Sequence, residues 1–205
     1  AHNERMQQES PPAGAPILIP GNIGVVLPGR PMIGCSVSPA AFSEALGRLV
    51  MATCDFVSVP IRWGEMEPTE GKYAFAGTDR WIEGAVRTAK LPVVAGPLID
   101  FRPSCVPERL YIWANDYETL RELIAEHVKQ IVTRYRRTVR RWTVASGLHV
   151  NSNFALGFEQ MMDLTKVSVQ LVRKLHPQAN VVLEITQPWG EYYATNRKSV
   201  PPQLY

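Results

Sequence analysis

Three groups of polar side chains stand at or just beyond short apolar runs: Asp100 with Arg102, then His149 with Asn151 and Asn153, then Gln187 with Trp189 and Glu191. Carboxylates can move protons, planar amides donate and accept at fixed angles, and an indole stacks on the apolar face of a sugar ring. Together these types suit a hydroxyl-rich ligand. The plainer reading of Trp189-Gly190-Glu191 is a surface turn with an aromatic anchor. Glu184 lies within the last run, where strand alternation points it opposite to Leu183 and Ile185. A carboxylate there is either paired with an arginine, the simpler reading, or functional, because burying its charge alone is costly. Glu184 and Glu191 are the nearby candidates for a catalytic acid. One imidazole with two amides, as at His149, Asn151 and Asn153, makes a poor transition-metal site, so no metal and no cofactor are expected.

For these groups to meet, the elements carrying them must end on one side of a sheet. From Met32 onward, β-branched apolar runs alternate with stretches of helical period, the pattern of βα units and a parallel sheet. The expected strands are 32–37, 55–61, 91–99, 138–146 and 180–186. The expected helices are 39–51 with Ser38 as its cap, 79–90, 117–136 and 158–175. Residues 1–31, dense in proline and glycine, read as an irregular arm with one short strand at 17–19 or 23–27. Five βα units in succession fit an α/β fold, either an open doubly wound sheet or a closed eight-stranded barrel. No Gly-x-Gly-x-x-Gly follows the first strand, which argues against a dinucleotide-binding sheet. The expectation is a (β/α)8 TIM barrel that is incomplete, holding about the first five units in a domain at 32–205.

With 205 residues, 45% of them hydrophobic, the chain can bury a core. A net charge of +3 with both signs interspersed gives no long-range field for nucleic acid or a membrane surface. Arg134 to Arg141 holds five arginines in eight residues, which suits a helix carboxyl terminus or a docking surface. No apolar run approaches the ~20 residues of a membrane span, and the amino terminus lacks the charged-then-apolar pattern of a secretory signal. Cys35, Cys54 and Cys105 are too widely spaced for a zinc pair and allow one disulfide at most.

The stretch Asp55-Phe-Val-Ser-Val-Pro-Ile-Arg-Trp63-Gly-Glu-Met-Glu67-Pro68-Thr-Glu-Gly71-Lys-Tyr-Ala-Phe75 resembles the second-strand region of retaining glycosidase barrels. The helix ending Arg134-Tyr135, the strand around Trp142, and Pro177-Gln-Ala-Asn-Val-Val-Leu-Glu184 are similar to glycoside hydrolase family 10. The resemblance covers roughly residues 32–188. It implies a xylan-type β-1,4-glycan held at the carboxyl ends of the strands, with Trp63 among the substrate-binding residues, and favours an extracellular or periplasmic location. It also implies two carboxylates about 5 to 5.5 Å apart, one acid/base and one nucleophile.

The departures from that pattern carry most of the functional expectation. Matching the family's tryptophan to Trp142 places the acid/base glutamate at Gly147 and its preceding asparagine at Ser146. The two sugar-binding histidines of the family fall on Pro97 and Arg102, its fifth-strand asparagine on Glu184, and its nucleophile beyond Tyr205. Loss of a general acid costs ~10² to 10⁴ in rate. Three functions follow as expectations: a carbohydrate-binding pseudoenzyme, a glycosidase using Glu184 or Glu191 with a carboxylate from a missing half, or a structural subunit whose barrel a second chain completes.

Overall fold

The computed structural model describes residues 31–102, 104–150, 153–185, 200, 202 and 204–205. The expected arm and its short strand, and the candidates Asn151, Gln187, Trp189 and Glu191, lie outside the described residues. The chain divides into Ala1–Met32 and Ile33–Tyr205, and the second unit is the one described below.

Its strands are β1 (Gly34–Ser36), β2 (Phe56–Val59), β3 (Val93–Ala95), β4 (Ile99–Asp100), β5 (Arg141–Ser146) and β6 (Asn180–Glu184). Every pairing is parallel. β1 pairs with β2 and β2 with β3, while β3 and β4 both run along β5, which pairs on its other side with β6. β3 and β4 are therefore two pieces of one stave, and among the described residues the sheet has five staves in chain order. The helices α1 (Glu44–Thr53), α2 (Trp63–Met66), α3 (Ala76–Glu83), α4 (Tyr117–Tyr135) and α5 (Phe158–Leu175) connect them.

The split of the third stave corrects the single strand expected over 91–99. Gly96 has φ of 124°, and a Cβ there would stand 2.1 Å from the Thr143 carbonyl oxygen, so the backbone approaches β5 more closely than any side chain allows. Beyond Gly96 the Leu98 N–H bonds Thr143 O at 3.0 Å, and the chain re-enters the ladder at Ile99 opposite Ala145. The effect is to carry Asp100 and Arg102 to the upper end of the stave.

The first helix also begins later than expected. Residues 39–41 form a separate turn of 3-10 helix, and the cap of α1 is Ser43, whose Oγ accepts the Leu46 N–H at 3.2 Å. The Ser38 side chain caps nothing; its carbonyl accepts the Trp81 indole N–H at 3.0 Å. The third helix begins at Ala76 rather than 79 and continues as a π-helical turn over Gly84–Thr88.

Burial follows the expected periodicities. In β2, Val57 and Val59 are fully buried while Phe56 and Ser58 are half-buried. In α4, Leu120, Ile124, His127, Val128, Ile131, Val132 and Tyr135 form one buried stripe. α4 packs on α5, and α5 lies against β5 and β6. β6 is the exception, since Val182, Leu183 and the following Ile185 are 37%, 40% and 46% exposed. All three cysteines are free, so the one allowed disulfide does not form.

Candidate functional site

Parallel staves deliver their carboxyl ends to one mouth, and there the sheet holds a cavity of about 450 Å³. Ser36 at the end of β1, Ser58 on β2, Thr143 on β5 and Glu184 at the end of β6 line it. Val57-Ser58-Val59 and Trp142-Thr143-Val144 bury the apolar neighbours on the opposite face, which turns the hydroxyls toward the cavity. Ser38, Arg62, Asp100, Arg102 and Cys105 add further polar groups to the wall.

Asp100 and Arg102 are locked together. The Arg102 Nε–H donates to both Asp100 oxygens, at 3.0 and 2.8 Å, its Nη2 donates to Oδ2, and its backbone N–H donates to Oδ1 at 3.0 Å. The Asp100 carboxylate is 5% exposed, whereas the Arg102 side chain is 70% exposed, so the guanidinium keeps its outer edge toward the cavity. The hydrogen bonds to Asp100 raise the Arg102 pKa, with Asp100 and Glu184 adding charge attraction. Arg62 is held by Glu65 at 2.8 Å. Burial and then the Asp100 charge push the Cys105 thiol up, away from the thiolate a nucleophile needs.

Of the residues singled out from sequence, Asp100, Arg102 and Glu184 meet in this cavity. His149, Asn153 and Trp63 do not line it. His149 is fully buried in the turn after β5 and stacks on Tyr205 with ring centroids 5.3 Å apart. Asn153 donates from Nδ2 to the Phe101 carbonyl, tying the turn to the end of β4.

Trp63 is 5% exposed and packs inward: its ring stacks on His127 at 4.3 Å, and its indole N–H donates to Glu67 Oε2 at 2.6 Å. Glu67 also accepts the Gly71 N–H at 2.7 Å and pairs with Arg109 at 2.9 Å. The Glu-Pro-x-x-Gly spacing thus closes the loop after β2 on its own carboxylate. Sequence reasoning missed Ser36, Ser58, Thr143 and Cys105 as cavity residues; the hydroxyls alternating with valine in β2 and β5 were the available signal.

Among the described residues no group of three His, Cys, Asp or Glu side chains is placed to hold a metal ion. No described helix is long and apolar enough to cross a membrane. Just past the end of β5, Gly147 has φ of 60° and donates its N–H to Glu184 O at 3.1 Å.

Five parallel staves in chain order, each followed or preceded by a helix on the outside, with a polar cavity at their carboxyl ends, define an incomplete (β/α)8 barrel. Comparison with solved structures specifies it further, as a partial GH10-like fold. The chain is similar to xylanase 10B from Thermotoga maritima (TM-score 0.60, 15% identity, covering 74% of this chain and 49% of that one). It is likewise similar to a GH10 protein from Paenibacillus barcinonensis (TM-score 0.58, 19% identity, 74% and 50% covered). A GH10 endoxylanase from a sugarcane soil metagenome gives TM-score 0.59 at 16% identity, with 74% and 47% covered. The chain spans about half the length of these proteins. No protein-family model matches the sequence.

Proposed function

We propose that the chain binds a xylan-type β-1,4-glycan at the mouth of its barrel and does not cleave it by the family 10 route. The observation that carries this reading is the cavity itself, walled by four hydroxyl-bearing residues and the outer edge of a guanidinium, with glycine where that route needs an acid. Serine and threonine hydroxyls both donate and accept, so they match the mixed donor and acceptor pattern of sugar hydroxyls. A guanidinium held rigid by Asp100 donates in a fixed direction at little further entropy cost. The exposed apolar edge of β6 calls for a further stave, from the rest of a barrel or from a second chain.

One observation favours a second reading. Glu184 lines the same cavity and interacts electrostatically with Arg102, so it is the carboxylate best placed to act on a bound glycosidic oxygen. On the first reading it accepts hydroxyls; on the second it gives up a proton.

Binding is tested by calorimetric titration of the whole chain with xylotetraose. Arg102→Ala is expected to weaken binding by about tenfold, the loss of one charge-assisted hydrogen bond. Unchanged affinity in Arg102→Ala, or no heat of binding in the unsubstituted chain, contradicts the assignment of the mouth.

A further inference from the structure

A second cavity of about 480 Å³ lies on the flank of the barrel, between α4 and the loop after β2, and shares no lining residue with the mouth. One wall is a stripe of α4 at helical spacing, Thr119, Leu123, Glu126, His127 and Gln130. The facing wall is the turn of 3-10 helix over Glu108–Trp113, where Ile112 and Trp113 are 75% and 37% exposed. Trp63, Glu67 and Tyr73 line it as well.

His127 lines this cavity and carries one ring nitrogen without a partner among the described residues. Burial and then the Glu67 charge raise the Tyr73 pKa, so the phenol keeps its proton. The Tyr73 hydroxyl and His127 Nδ1 lie 3.2 Å apart, and the imidazole tautomer decides which of them donates. Nε2 is accordingly an acceptor in one tautomer and a donor in the other. His127 is 1% exposed, and its Nε2 has no partner among the described residues. Burial, followed by the Arg109 charge, lowers its pKa to about 3, so the ring is neutral at ordinary pH. A buried polar nitrogen without a partner is costly, and a ligand hydroxyl, which both donates and accepts, recovers that cost in either tautomer.

The charges around the cavity narrow the class of ligand. Glu67 is matched by Arg109, and Glu126 by Lys129 at 3.0 Å and Gln130 at 2.7 Å. The Arg109 guanidinium disfavours a cation beside His127. What remains is an aromatic and aliphatic wall at Trp113 and Ile112, an unpartnered ring nitrogen at His127, and polar side chains at Glu70 and Gln130. A flat ring with one apolar face and hydroxyl donors on its edge meets all three.

We infer that this flank cavity is a second saccharide site, where a neutral sugar ring stacks on Trp113 and hydrogen-bonds one hydroxyl to His127 Nε2. It does not depend on the mouth, since the two cavities have no residue in common.

Nitrogen-15 NMR of the whole chain, titrated with xylotetraose and separately with lysine amide as a cationic control, tests it. The His127 imidazole and Trp113 indole resonances are expected to move with xylotetraose and not with the amine. Trp113→Ala, a change at a partly exposed position outside the buried core, is expected to weaken this response about tenfold, while Arg102→Ala leaves it unchanged. Silence of both resonances at sugar concentrations of several millimolar, a response to the amine alone, or a response indifferent to Trp113→Ala overturns the inference. Movement at Arg102 with silence at His127 leaves the mouth reading standing and removes only this one; the converse removes only the mouth.

Discussion

Replacing Glu67 with alanine is expected to lower the stability of the domain by about 3–5 kcal/mol, the cost of breaking a buried ion pair from one side. The carboxylate is 8% exposed and accepts from the Trp63 indole, the Gly71 backbone and Arg109. Alanine would strand all three donors at once. Arg109 would retain its hydrogen bond to the Glu67 carbonyl at 3.0 Å, which does not neutralise its charge. Glu67→Gln keeps one carbonyl acceptor and is expected to fall between the two. Urea unfolding of both variants measures the difference; a loss below about 1 kcal/mol in Glu67→Ala would show that the loop after β2 is not fastened through this carboxylate.

Stability is also expected to fall steeply with acid because of His127. Its folded pKa is about 3, held there by burial and then by Arg109, against the ordinary histidine value of 6.5. Between those values the unfolded chain binds a proton that the folded ring refuses. The stabilisation is therefore complete above pH 6.5 and is lost as pH falls from there toward 3, at up to about 1.4 kcal/mol per pH unit. His127→Phe preserves a flat ring against Trp63 and removes the titration, so its unfolding midpoint should depend less on pH over that interval. An identical slope in the variant would place the acid sensitivity elsewhere.

The longest helices were the most legible parts of the fold. α5 spans the residues expected from its apolar stripe, and α4 differs by one at its end, because long stripes closed by Asp116 at one start and by His176-Pro177 at the other stop leave little freedom. The third stave was misread because a continuous apolar run hides a break; the Gly96-Pro97 dipeptide inside it was the sign that the ladder is interrupted. Ser38 and Ser43 are equivalent as caps on paper. Proline suits a first helical position, as Pro39 does after Ser38, but the chain is extended again at Phe42, and only then does α1 begin.

In the candidate site, Asp100, Arg102 and Glu184 were recoverable because strand ends can be located even when strand interiors are misjudged. Trp63 was not, since an aromatic following a strand reads the same whether it faces a ligand or the core. The tell was Glu67 four residues on, one helical turn from the indole it binds. His127 read simply as a member of the α4 stripe, and its open nitrogen became apparent only from the Tyr73 hydrogen bond.

If the mouth holds a glycan yet lacks an acid at the end of β5, the whole chain incubated with an aryl xylobioside binds it measurably and releases no phenol above the uncatalysed rate. Release of phenol that Glu184→Gln abolishes would show instead that the mouth cleaves its glycan, with Glu184 as the acid.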